Sequence, residues 1–168
     1  MENITLLLTP DELKANGFLN ANVDNEYVVP AIDEAQDVFL REILGDSLLD
    51  KLTELTEAEQ LDGKYEELVE GYVKYYLKYK TLGILCMSVN FKIRNMGIVN
   101  QYGPEVGTTT LDETKYIQNY YVEKADFYAN RMTRWLELNK KFISEYKVCC
   151  KQVTNPEQTH PVSTIYLG

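Results

Sequence analysis

Nine consecutive positions, YVKYYLKYK at residues 72–80, hold four tyrosines and three lysines. Aromatic rings stack on bases and ammonium groups neutralise phosphates, so this interleaving is what a single-stranded nucleic-acid platform requires. Other residues invite other chemistry. Cys149, Cys150 and His160 carry metal-ligating groups, but their spacing matches no common zinc site. A bundle di-iron centre needs Glu-x-x-His from two helices, and the one histidine, His160, lies near the end of the chain. A nucleophile–histidine pair would need that distant tail folded back onto the helices. Gly97, Gly103 and Gly107 form no phosphate-cradling motif and precede no Lys-Ser/Thr. Carboxylate pairs crowd residues 1–63, where they read as solvated helix faces. No enzyme activity, cofactor or metal is therefore expected.

Charge weighs against nucleic acid as the main partner, because phosphate contacts need a cationic footprint and the formal net charge is −9. Its distribution is uneven. Residues 1–63 hold fifteen acidic and three basic side chains, residues 64–94 hold six basic and three acidic, and the remainder is neutral. Such segments are either solvated faces or complementary surfaces on which copies or partners dock. With 168 residues, 45% of them hydrophobic, one domain can form a core without staples. Three cysteines, two of them adjacent, give no disulfide framework and indicate reduced thiols in a cytosolic setting. The start, MENITLLL, has an acidic residue where a signal peptide needs basic ones. The longest apolar run, LGILCMSV, falls short of the roughly 20 residues that span a bilayer. A soluble protein with no membrane partner is expected.

Helices must position all of this. Thr9-Pro10-Asp11-Glu12 is a capping box with proline at the first helical position, and Gly17 stops that helix. A second helix is predicted from Pro30 to Leu44, with Gly45 as its stop, burying Ile32, Ala35, Phe39 and Ile43. Gln36 falls within that arc. It is expected half-exposed at the edge of the seam, the other reading being an amide that ties the helix to a neighbouring backbone. A shorter helix follows from Asp46 or Ser47 to about Leu55, and another turn precedes Gly63. Lys64 to about Arg94 then forms a long helix, with Gly71 and Gly83 suggesting close contact with another helix.

On that helix Tyr72, Tyr75, Tyr76 and Tyr79 share one arc about 100° wide, extended by Leu68, Cys86 and Ile93. Lys74, Lys78 and Lys92 fall on the far side, beside Glu67 and Glu70. Cations and aromatics thus occupy different faces, so the stripe is a packing seam between helices or subunits rather than a base platform. Buried phenols need hydrogen-bond partners, which places part of the stripe at an edge or against another subunit.

Residues 95–111 break the helical pattern as a long loop, with a short hairpin suggested around Gly103-Pro104. Thr110 and Glu113 form a second capping box, opening a helix to about Lys147. Tyr116, Tyr120, Phe127, Met132, Trp135, Leu138, Phe142 and Tyr146 recur along it every three to five positions. Unbroken, it would be about 50 Å long. The terminal STIYLG has strand character without a partner strand in its own chain, so it is either a disordered tail or a strand added to another molecule. The fold class is all-α: a helical bundle of two long and two or three shorter helices, with a long inter-helix loop. Residues 1–148 form the helical domain and 149–168 the extended C-terminal tail.

Across VVPAIDEAQDVFLREILGDSLLDKL, residues 28–52, the order Ile32, Ala35-Gln36, Leu40, Ile43-Leu44-Gly45 and Leu48 or Leu49 resembles head–tail connector (adaptor or head-completion) proteins of tailed bacteriophages. The likeness is greatest to the connectors of phages of gut Bacteroidales, including the crAss-like group. The NMGIVN loop with Gly97, the second long helix with its aromatics and the extended tail continue it over residues 28–147. The resemblance implies a homo-oligomeric ring, usually dodecameric in such proteins, at the neck of the virion. The ring lies beneath the portal protein, extends the DNA channel and offers a platform to the next neck or tail ring. Genomic DNA passes through without sequence-specific binding. Ring contacts are then expected at Arg94, Asn95, Met96, Ile98, Tyr102 and Val106 of the loop, and at Ile165, Tyr166 and Leu167 of the tail. The alternative is a small helical regulator that binds nucleic acid or a partner protein, using Lys74, Lys78, Lys80, Lys92 and Arg94.

Overall fold

In the computed structural model, residues 5–15, 19–20, 22–88, 91–94, 97–100 and 111–146 are described, residues 91–94 and 97–100 by their backbone alone. Thr9 opens the first helix as its sequence dictates. The Thr9 hydroxyl accepts from the Glu12 N–H at 3.2 Å, and the Glu12 carboxylate accepts from the Thr9 N–H at 2.8 Å. This reciprocal box starts α1 (Pro10–Ala15).

The next helix begins at Asn25, earlier than Pro30, which lies inside it. Proline there removes one backbone bond. Burial of Val28, Ala31 and Ile32 on both sides of it carries the helix through. α2 (Asn25–Glu34) runs into a π-helical segment (Ala35–Leu40) and then α3 (Arg41–Leu44). Gly45, at φ +79°, ends the run as expected. The wider π turn changes which residues face inward. Burial steps from Ala35 to Leu40 and Leu44, while Phe39 and Ile43, expected at the centre of that face, are only half-buried. Gln36, within the arc as the helical geometry places it, is 5% exposed rather than half-exposed. Its Oε1 accepts from the Leu7 N–H at 2.8 Å and its Nε2 donates to the Thr5 carbonyl at 2.9 Å.

α4 (Asp46–Glu57) buries Leu48, Leu49 and Leu52. Arg41 joins it to the preceding helix, bonding Asp37 at 2.7 Å, Asp46 at 3.1 Å and Asp50 at 3.3 Å. After Gly63, α5 (Gly63–Leu68), a second π segment (Val69–Val73) and α6 (Lys74–Ser88) make one continuous helix. Leu68, Val69 and Val73 are buried along this stretch.

That helix stops at Ser88 rather than at Arg94. Phe91-Lys92-Ile93-Arg94 alternates apolar and polar residues with a period of two, a strand pattern. β1 (Phe91–Arg94) pairs antiparallel with β2 (Gly97–Asn100), with Ile93 opposite Ile98 and Lys92 opposite Val99. This hairpin lies upstream of Gly103-Pro104, where one was expected and which is outside the described residues. α7 (Leu111–Asn139) ends before Lys147 and is followed by turns, with the Asn139 side-chain amide donating to the Trp135 carbonyl at 2.9 Å. Thr110 of the second capping box lies outside the described residues. α6 packs against α7, α2 and the first π segment, and one hydrophobic cluster runs from Leu7 to Ile143. The described residues are predominantly helical, as expected, with the hairpin as an addition.

Candidate interaction surface

The tyrosine stripe is the seam between α6 and α7. Tyr76 is buried, and burial pushes its phenol upward in pKa. Tyr75 and Tyr79 both stack on Tyr128 of α7, with ring centroids 5.3 and 5.4 Å apart, while Tyr72 lies 5.4 Å from Trp135. The lysines differ from expectation. Lys78 is buried at 8% exposure, and Lys74 is covered by the segment around α1. α6 is the central helix, so its far side is also occupied. Burial opposes the Lys74 charge, but Glu12 and Glu70, each 2.5 Å away, outweigh it and raise its pKa. Lys74 and Lys78 are thus structural and are removed from any cationic patch.

α7 carries two opposite apolar faces. At about 100° per residue, Thr114, Ala125, Met132 and Leu136 align on one side, and all four are buried. Tyr116, Tyr120, Phe127 and Leu138 align on the other within about 40°, and they are 77%, 49%, 57% and 77% exposed. Phe142, beyond the helix, is also exposed. The recurrence of aromatics along α7 thus mixed two faces: Met132 and Trp135 face the core, whereas Tyr116, Tyr120, Phe127, Leu138 and Phe142 face away. Small residues at 114, 125 and 129 on the packed side were the available signal. Arg131 and Lys124 flank the aromatics of this outer face. The Arg131 guanidinium lies 5.9 Å from the Phe127 ring and Lys124 Nζ lies 5.5 Å from the Tyr120 ring.

A groove of about 610 Å³ opens where α6, α7 and the first π segment meet. Phe39, Ile84, Met87 and Val122 supply its apolar walls, and Glu34 and Gln118 stand at its polar margin. Lys80 lies over the Phe39 ring at 3.7 Å. Gly83 faces the same crossing, where a Cβ would meet Val122 and Tyr121 at 3.6 and 3.7 Å, whereas Gly71 has open space around it. Gly83 thus lies at the helix crossing with room for a methyl at ordinary contact distance, so close helix contact requires neither glycine.

Of the residues expected at ring contacts, Arg94 and Ile98 sit on the hairpin, Arg94 opposite Gly97 and Ile98 opposite Ile93. Asn95, Met96, Tyr102, Val106, Ile165, Tyr166 and Leu167 lie outside the described residues, as do Cys149, Cys150 and His160. Cys86 is half-buried on α6, and burial raises its thiol pKa. Among the described residues no group of three or more His, Cys, Asp or Glu converges to hold a metal ion. No helix among them is long and apolar enough to cross a membrane.

No curated protein and no solved structure matches this chain. A family of unknown function, DUF6712, matches residues 40–156, which takes in the first π segment's end, the whole of α6 and α7 and the part of the groove that those two helices line. The match covers well over half of the sequence, and the chain belongs to the DUF6712 family.

Proposed function

We propose that this protein is a structural virion component that forms a head–tail connector ring beneath the portal of a tailed phage, extending the DNA channel and carrying the next neck or tail ring. The observation that carries this reading is the second apolar face of α7, which is solvent-exposed in the single chain although three of its four large side chains are aromatic. Aromatic side chains are enriched at protein interfaces, and exposed apolar patches mark docking surfaces. The resemblance over residues 28–147 supplies the setting, and the predominantly helical bundle is compatible with it. Acidic side chains concentrated in residues 1–63 give neighbouring copies a means of fixing register, and they disfavour adhesion of DNA passing the ring. The role has no catalytic step. Co-expression with the portal protein of the same genome, followed by electron microscopy, should yield a ring stacked on the portal. The protein should also co-purify with virions, and its absence from them would refute the reading.

One observation favours a second reading, a nucleic-acid-binding regulator. Arg131 and Lys124 share the outer face of α7 with Tyr120 and Phe127, so cations and aromatics do coincide there. Binding of a single-stranded oligonucleotide that weakens steeply with salt would support that reading. Salt-independent, negligible binding is expected from the connector.

A further inference from the structure

The ridge and the groove lie at the same height on opposite sides of α7. Gln118 and Val122 line the groove, and Tyr116 and Tyr120 stand within the same two turns, roughly 160° away around the helix. Resting on the connector reading, we propose that the groove is the receptor for Tyr116 and Tyr120 of a second copy of this chain. The chemistry of the two sides matches. A tyrosine has an apolar body and a polar tip, and the groove has apolar walls at Phe39, Ile84, Met87 and Val122 with polar groups at Glu34 and Gln118. Tyr116 and Tyr120 are 77% and 49% exposed, so neither needs to leave the core to dock. Charge matches as well: Lys124, seated against Tyr120, is carried toward the margin where Glu34 is exposed.

Two different patches meet in this contact, so it is heterologous, and it generates a ring when the rotation closes. Placement of ridge and groove at one level of the helix favours closure over a rising filament, because each copy adds rotation about an axis along α7 with little translation.

Sedimentation of the purified full chain tests the proposal. The pair Tyr116→Ser and Tyr120→Ser changes only exposed side chains and should weaken self-association at least about thirtyfold, as loss of two central aromatic anchors does. Met87→Glu should do the same from the groove side. Mixed together, the two variants should form a one-to-one dimer and nothing larger, since only one intact ridge and one intact groove remain. Should Met87→Glu fail to fold, the tyrosine variant decides alone. Wild-type assembly by the tyrosine variant overturns the docking and leaves the connector reading standing, as does a mixture that fails to recombine. A wild-type chain that stays monomeric also overturns it. Loss of assembly on deleting residues 153–168, with none on removing the tyrosines, assigns the groove to the tail and overturns it too. Absence of the protein from virions removes the connector reading whatever the sedimentation shows.

Discussion

Gln36 holds the N-terminal segment to the bundle through two bonds, and removing them has a calculable cost. In Gln36→Ala the Thr5 carbonyl loses a donor, which is worth about 1 kcal/mol because that end of the segment is only half-buried and water replaces the amide. Leu7 is 2% exposed, so its N–H is stranded without an acceptor, at a cost of about 1–3 kcal/mol. The sum, about 2–4 kcal/mol, is a large share of a typical domain's 5–15 kcal/mol. Urea denaturation followed by circular dichroism should show a lower midpoint with an unchanged slope. Gln36→Glu sharpens the test. An ionised carboxylate still accepts from Leu7 but faces the Thr5 carbonyl with no proton to donate, so it should be destabilised at neutral pH. Burial raises its folded pKa above the unfolded value, so the deficit relative to wild type should shrink as pH falls and the side chain protonates into an amide-like donor. A Gln36→Ala midpoint equal to wild type, or a Gln36→Glu deficit independent of pH, would refute the account of the N-terminal segment.

Other perturbations separate the two faces of α7 and the groups around it. Trp135→Ala removes a side chain that is 7% exposed and donates to Glu67 at 2.9 Å, and it should cost about 3–5 kcal/mol in denaturant titration. Phe127→Ala, on the outer face at 57% exposure, should cost under about 0.5 kcal/mol; equal losses would show that the assignment of faces is wrong. Gly83→Ala places a methyl at ordinary contact distance from Val122 and Tyr121 and gains helix propensity, so the melting temperature should hold or rise by the equivalent of up to about 1 kcal/mol; a clear loss would mean that the α6–α7 crossing has no room for a methyl. Acid should destabilise the fold. Burial tends to raise the Glu12 pKa, but hydrogen bonds from Lys74 and Thr9 lower it overall, Lys64 and Trp135 lower that of Glu67, and the Tyr65 hydroxyl lowers that of Glu145. Folded values below the ordinary 4.5 mean that this stabilisation is complete above that pH and is lost as pH falls through the folded values. The urea midpoint should be level near neutrality and decline below about pH 4.5; a midpoint that rises there would contradict it.

Local chemistry wrote part of this protein directly into its sequence. Thr9 and Glu12 cap a helix because each side chain reaches the other's backbone N–H, Gly45 stops one because only glycine is at ease at positive φ, and four tyrosines on one arc must find a partner surface. Those features depend on neighbours a few residues away. Helix ends at Asn25 and Ser88 were not legible in this way, because buried contacts carried one helix through Pro30 and strand pairing ended the other before Arg94. The two π segments were hidden for a similar reason: a single widened turn leaves no mark in a 3.6-residue period, and the first of them accompanies a shift of burial from Phe39 to Leu40. Of the candidate site, sequence reasoning found the aromatics of α7 but not which of them face away from the core. Only packing decided that, since a helix with apolar residues on two opposite sides offers either to its neighbour, and α6 accepted the side with the small residues. The lysines of α6 were decided likewise, because whether the far side of a helix meets water or another segment is settled by where the rest of the chain lies.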